Sequence, residues 1–352
     1  MERFLKFLNC TAISFLAYVL SGCDTPVSAP FNQSAYSTKY LYISTGACYG
    51  GGVVTSVGPA NIISRFDLET GTYLGKVIDY NTFSPGDSPI AMWDYDSSQM
   101  LVLIENASGR RIDRVNKDGS GAMVHITNST ALSAAMRTFV MLNDFSILVS
   151  KSTAVEKFNA AKSRVLNGAN PWISAPGGTC ATSATLISSI GVFPNGKILY
   201  THAAATPNNK IGLISAAGYT IAGDCLATQA GPTTTALPTK ILIHSSGKTL
   251  VSYGSTTSAS NVVYSYNVNS TSNTITSPVA AWTDYSIVNG PSSMVEDPAT
   301  GEVLISSATS TFNTVEKFIF NSNTGVLSRA NSAPFMSPSL YTRCITDMKV
   351  MQ

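Results

Sequence analysis

The sequence predicts an all-β fold, a six-bladed β-propeller closed by pairing of its N- and C-terminal strands, with seven blades as the alternative. Three observations predict it. One four-strand unit recurs along the chain at intervals of about 50 residues, the spacing of propeller blades. Helical periodicity is nearly absent. The two ends of the chain carry complementary parts of one further unit.

The most legible part of each unit is its second strand, a short apolar run. In order these runs are Tyr40-Leu41-Tyr42-Ile43, Met100-Leu101-Val102-Leu103, Ile147-Leu148-Val149, Ile198-Leu199-Tyr200, Thr249-Leu250-Val251 and Val303-Leu304-Ile305. The leucines Leu41, Leu101, Leu148, Leu199, Leu250 and Leu304 are separated by 60, 47, 51, 51 and 54 residues. Turns precede most of the runs, most clearly Pro194-Asn195-Gly196-Lys197 and Ser245-Ser246-Gly247-Lys248, where glycine supplies the positive φ of a hairpin loop. A first strand stands before the turn, as in Leu186–Val192. A third follows, as in Ile112–Val115, Val155–Phe158, Val262–Tyr266 and Val315–Phe318. A turn such as Asn323-Thr324-Gly325 then leads to a weaker fourth strand. A β-sandwich would not keep one unit six times, and a solenoid coil has a shorter period.

The ends support closure. Arg343–Val350 resembles a first strand with no second strand after it, and Lys39–Thr45 is a second strand with no first before it. Joined, they complete one blade and remove the free edges of an open sheet. The seven-bladed alternative requires hidden strands in the long Cys48–Asn61 stretch.

At the N-terminus, Arg3 and Lys6 precede an apolar run from Phe7 to Leu20, broken by Asn9 and Ser14. The run falls short of the roughly 20 apolar residues that span a bilayer. It ends in Leu20-Ser21-Gly22-Cys23, which resembles the lipobox of bacterial lipoproteins. That resemblance implies cleavage before Cys23 and acylation of its thiol. The expected organisation is a signal peptide over 1–22, a lipidated Pro/Ser/Ala-rich tether over 23–38 and a propeller domain over 39–352. Asp24 resembles the residue that retains enterobacterial lipoproteins in the inner membrane. The expected location is therefore the periplasmic face of that membrane, with the outer membrane as the alternative. The membrane is a partner through the lipid, and the first strand after the tether belongs to the closing blade.

Charged residues make up 12% of the 352-residue chain and its net charge is +2, with Lys and Arg scattered, which argues against nucleic acid as a partner. Of six cysteines, Cys10 leaves with the signal and Cys23 takes the lipid. The other four are Cys48, Cys180, Cys225 and Cys344. The shared blade places Cys344 near Cys48, and Cys180 and Cys225 bracket the fourth unit, so the expected bonds are Cys48–Cys344 and Cys180–Cys225 in an oxidising compartment. Four buried free thiols are the alternative. No Cys-x-x-Cys spacing suggests redox or zinc chemistry.

No catalytic, cofactor-binding or metal-ligating residue can be assigned. The histidines His125, His202 and His244 show no metal spacing, and His202 and His244 read as structural or surface residues. There is no Gly-x-Ser-x-Gly elbow. Asp94, Asp96, Asp144, Glu296, Asp297 and Asp347 lie on or after first strands, mostly where Asp is ordinary turn chemistry, with Asp347 alone in mid-strand. The connections entering each unit are rich in aromatics. Tyr80, Phe83, Trp172, Trp282, Tyr285 and Tyr341 form a candidate binding face beside the second-to-third-strand loops. Packing between blades is the competing role for each of them.

Across residues 39–350 the chain resembles the broad superfamily of bacterial propeller lipoproteins with quinoprotein- or NHL-like repeats, in architecture only. The function expected is a non-enzymatic binding or scaffold module that meets a protein, peptide or glycan through one face of the propeller. The alternative, carried by six-bladed lactonases, is a metal-dependent hydrolase with its site at the channel mouth, where Asp347 would be the residue to watch.

Overall fold

The computed structural model describes residues 39–46, 61–107, 109–120, 124–125, 138–151, 154–161, 163–165, 180, 186–203, 209–218, 224–232, 236–254, 261–276, 278–307, 314–337 and 344–352. The chain opens with β1 (Tyr40–Thr45), β2 (Ile62–Asp67) and β3 (Tyr73–Asp79). The second blade is β4 (Ser88–Asp94), β5 (Gln99–Asn106), β6 (Gly109–Asn116) and β7 (Val124–His125). The third is β8 (Phe139–Met141), β9 (Ile147–Lys151), β10 (Ala154–Phe158) and β11 (Arg164–Val165). The fourth is β12 (Leu186–Val192), β13 (Ile198–Ala203), β14 (Ile211–Ile214) and β15 (Cys225–Gln229). The fifth is β16 (Leu237–Ile243), β17 (Lys248–Gly254), β18 (Val262–Asn269), β19 (Thr274–Ile275) and β20 (Val279–Trp282). The sixth is β21 (Pro291–Glu296), β22 (Val303–Ser307), β23 (Val315–Asn321) and β24 (Val326–Arg329). The final strand, β25 (Ile345–Met351), pairs with β1 and gives the first blade the order β25-β1-β2-β3.

Each sheet is antiparallel and meanders outward from its first strand. Six apolar clusters join consecutive blades, and one of them packs Leu304 and Val295 of the sixth against Leu41, Ile345 and Met348 of the first. The ring is therefore a six-bladed propeller. The seven-bladed alternative fails because the first and sixth blades touch directly. The closing pair runs Tyr40 against Met351, Leu41 against Val350 and Ser44 against Asp347, the complementary halves that the two ends of the chain carry.

Burial explains the repeat. A second strand lies inside its blade and is covered on both faces by neighbouring blades, so Leu41–Thr45, Met100–Ile104 and Val303–Ser307 are buried without alternation. Strands buried on both faces read as continuous apolar runs. The outermost strands meet water and alternate, as in β24. In the fifth blade the fourth strand is split, β19 and β20 both pairing with β18. Pro278, which has no N–H to give the ladder, stands at the break.

The innermost strands share a device. In β4, β12, β16, β21 and β25 the register slips by one residue at the same depth, so that one residue bulges. The bulged residues are Ile90, Ser188, Thr239, Ser292 and Thr346. In three of them the hydroxyl reaches the next blade, while Ser188 bonds Thr201 of its own blade. Thr346 Oγ1 donates to Pro89 O (2.8 Å), Thr239 Oγ1 to Pro291 O (2.7 Å) and Ser292 Oγ to Ile345 O (2.7 Å). In three strands the residue after the bulge works in the same direction. Ser189 Oγ accepts from Ile241 N (3.0 Å), Ser293 Oγ from Met348 N (3.0 Å) and Asp347 Oδ2 from Met92 N (2.9 Å). Innermost strands lack a strand partner on their axial edge, and these contacts satisfy part of it.

Candidate functional site

The predicted face lies on the rim where the chain crosses from one blade to the next. Tyr80 does not belong to it. It opens a single helical turn, Tyr80–Phe83, and is fully buried in the core between the first two blades. Phe83, three residues on, is 50% exposed and helps line a cleft of about 430 Å³ with Val77, Asp79 and Asn116. Trp282 ends a strand, stacks edge-on against Phe318 of the sixth blade (4.8 Å) and donates from Nε1 to Asp284 O, so it is an inter-blade packing residue. Tyr285 is 44% exposed. Trp172, Tyr341 and most of the second-to-third-strand loops lie outside the described residues, as do Cys23 and the tether. Phe83 and Tyr285 belong to different blades, on either side of the ring's closing blade and its sixth neighbour.

Cys180 and Cys225 form the predicted disulfide, with Cα atoms 5.7 Å apart. Cys344 is also disulfide-bonded. Its predicted partner, Cys48, lies outside the described residues.

The axis is closed by charge. Asp347, with 1% of its surface exposed, accepts from Lys240 Nζ (2.6 Å) and Ser293 Oγ (2.9 Å) at one oxygen and from Met92 N at the other. One carboxylate thus ties together the first, second, fifth and sixth blades. Burial alone would raise its pKa, but Lys240 and Lys349 together with these hydrogen bonds hold it below the usual carboxylate range. Both oxygens are already engaged, which leaves Asp347 a structural hub rather than a metal ligand. Of the other candidate carboxylates, Asp96, Asp144 and Asp297 are turn residues, and Asp94 and Glu296 end first strands. Asp96 accepts from Ser98 N and Gln99 N, Asp144 from Ser146 N, Asp297 from Ala299 N and Glu296 from Ser245 N, while Asp94 pairs with Lys117 (2.6 Å). Among the described residues no three His, Cys, Asp or Glu side chains are grouped as a metal site would require.

His202 and His244 are structural. His202 is buried beside Tyr200. His244 Nε2 lies 2.8 Å from Gly301 O while Nδ1 accepts from Ser246 N, which latches the turns of the fifth and sixth blades.

On the opposite rim, which carries the first-to-second-strand turns, the structure assembles a group that sequence reasoning missed. Lys349 Nζ lies 4.2 Å over the Trp93 ring, and the Arg114 guanidinium lies 5.5 Å over Tyr95. Tyr95 meets Phe145 edge-on at 5.9 Å. Trp93, Leu101 and Arg114 are opposed across β4, β5 and β6 and so share the face of the second blade turned to the third. Phe145 comes from the third blade's turn. It is 41% exposed and has φ +59°, at the position where other turns have Gly196 (φ +79°) and Gly247 (φ +85°). A side chain in this left-handed conformation costs about 1 kcal/mol relative to glycine. A visible signal did exist, since Asn143-Asp144-Phe145-Ser146 stands where the repeat expects glycine.

No protein-family model matches the chain, and no curated protein sequence matches it. Its fold is similar to solved structures at low identity. A protein from Lactobacillus plantarum is 8% identical, with a TM-score of 0.50 over 90% of this chain and 100% of that one. An auxiliary nutrient binding protein from Bacteroides ovatus is 12% identical, with a TM-score of 0.47 over 83% of this chain and 65% of that one. A gluconolactonase from Xanthomonas campestris is 12% identical, with a TM-score of 0.43 over 68% and 77%. The first of these likenesses speaks to the fold alone.

Proposed function

We propose that the chain is a lipid-anchored envelope protein, acylated at Cys23 and facing the periplasm, whose propeller binds a protein, peptide or glycan rather than performing catalysis. The observation that carries this reading is the exposed Phe83 at a cleft of about 430 Å³ between the first two blades, set on a ring whose axial carboxylate is fully engaged. A large exposed aromatic beside polar groups is the usual anchor of a recognition surface. No observation favours the hydrolase reading, because the carboxylates that it needs serve turns and ion pairs.

The test is a photo-crosslinking amino acid placed at Phe83 and at Tyr285 in the native membrane, with Val326 on an outer strand as control. A specific partner captured at 83 or 285 and not at 326 supports the reading. Identical capture patterns at all three positions would refute it. Phe83→Ala and Tyr285→Ala are expected to weaken capture with melting temperature unchanged. Trp282→Ala is expected to cost about 3 kcal/mol of stability by emptying the contact with Phe318. Separately, replacing Cys23 by Ser is expected to release the protein from membranes; a Cys23→Ser chain that stays in the membrane pellet would count against the anchor.

A further inference from the structure

The cleft between the first two blades is walled by side chains that suit one kind of ligand. Phe83 closes the helical turn Tyr80–Phe83, which Asp79 caps, and its ring stands half exposed at the cleft. Asp79 lines the same wall. It accepts from Lys76 Nζ (2.6 Å) at one oxygen and from Asn81 N (3.1 Å) at the other, and these bonds hold its carboxyl below the usual carboxylate range. On the facing blade, Asn116 accepts from Gln99 Nε2 (3.0 Å) and donates from Nδ2 to Ser120 Oγ (3.3 Å). The exposed Thr82 and Ser120 add hydroxyls to the lining. Both walls therefore carry hydrogen-bonding groups whose positions are set before any ligand arrives. The backbone in the cleft suits a peptide strand poorly. β3 is an edge, but its register slips at Leu74 and again at Val77, and such bulges spoil the ladder that an added strand needs. Gly119 packs so closely on the Val77 carbonyl that a Cβ there would lie 2.1 Å from the oxygen.

We infer that this cleft binds a neutral sugar, one face of its pyranose ring lying on Phe83 and its hydroxyls meeting Asp79, Thr82, Asn116 and Ser120. A pyranose has an apolar C–H face and a rim of hydroxyls that both donate and accept. Carboxylate, amide and hydroxyl side chains answer both functions, and an exposed aromatic ring answers the C–H face. A volume of about 430 Å³ lies in the range of small-ligand sites. Lys76, close by, is already held by Asp79, so an acidic sugar or a phosphate gains no free cation from it. The inference rests on the reading above that Phe83 marks a recognition surface, and it narrows the ligand classes given there to one.

Saturation-transfer NMR on the full chain, in a detergent without a sugar headgroup, tests this. The probes are glucose, galactose, N-acetylglucosamine, cellobiose, lactose and chitobiose, with the tripeptide Ala-Leu-Ala beside them. Transfer to the ring protons of at least one sugar, and none to the tripeptide, is expected. Phe83→Ala and Asn116→Ala are each expected to weaken binding roughly threefold to tenfold, and Phe83→Trp to retain it. Melting curves report whether the variants are folded; if Asn116→Ala is not, the two Phe83 variants decide. Transfer to none of the sugars, or transfer that Phe83→Ala leaves unchanged, would overturn the inference. Transfer to the tripeptide alone would overturn it too. A specific partner crosslinked at position 83 without any sugar response would sink the sugar assignment and spare the recognition surface.

Discussion

His202 and Lys349 show how burial of single groups sets the pH response. His202 is buried at the end of β13, and burial, aided by Lys210, lowers its pKa to about 4 from an ordinary 6.5. The unfolded chain then binds a proton between pH 6.5 and 4 that the folded chain refuses, so stability is present above 6.5 and falls with pH through that window. The loss is at most about 3 kcal/mol. His202→Phe is expected to flatten this part of an acid-denaturation profile. Lys349 is also depressed, to about 8 from 10.5, and as a basic group it penalises the folded state while charged. Stability is therefore expected to rise from pH 8 towards 10 and to be recovered at pH 7 by Lys349→Met. Above pH 10 the trend reverses. Burial holds Tyr42, Tyr80, Tyr253 and Tyr266 above their ordinary value, and ionisation then favours the unfolded chain. Urea midpoints at intervals of half a pH unit would check both limbs.

At the scale of the strand, the bulged innermost strands do the joining. Thr239, Ser292 and Thr346 each occupy the bulge and donate to the carbonyl of the next blade's first strand, one residue before that strand's own bulge. In three blades the residue before the bulge is proline, at Pro89, Pro238 and Pro291, which fits strands whose inner edge has no ladder to lose. Thr239→Val keeps the shape and removes the hydroxyl from Pro291 O and Ser252. It is expected to cost about 1–2 kcal/mol in chemical denaturation, since a buried carbonyl loses its partner. The equivalent exchange at Ile90, Ile90→Val, breaks no such bond and is expected to cost about 1 kcal/mol or less.

For the whole molecule, closure is the controlling event. β25 supplies the innermost strand of the first blade and carries Asp347, whose carboxylate touches three other blades. Deleting residues 345–352 removes both and exposes the edge of β1. Such a chain is expected to lose cooperative unfolding and to aggregate, as light scattering and calorimetry would show. The Cys180–Cys225 disulfide closes a loop across a sequence separation of 45, which in the chain-entropy model contributes roughly 4 kcal/mol. Because it joins parts of one blade rather than the ring's ends, its reduction is expected to lower the melting temperature while leaving the ring closed.

The repeat, the blade count, the closing strand pair and the Cys180–Cys225 bond were legible in the chain. Each depends on local periodicity or on order along the sequence: a strand packed on both faces must be apolar throughout, as Leu41–Ile43 and Val303–Ile305 are. The side-chain environment was not legible. Tyr80 and Phe83 are three residues apart in one short segment, yet one is sealed between blades and the other open to solvent. Whether Asp347 was free or engaged depended on Lys240, 107 residues away, and on Ser293. The row on the turn rim gathers residues from the first, second and third blades, and no spacing rule joins Lys349 to Trp93. The sequence by itself determined the all-β repeat and how its ends meet, because those follow from burial along a strand. Only the tertiary structure decided which charges meet at the axis, as Lys240, Lys349 and Asp347 do, because that is settled by distances between blades.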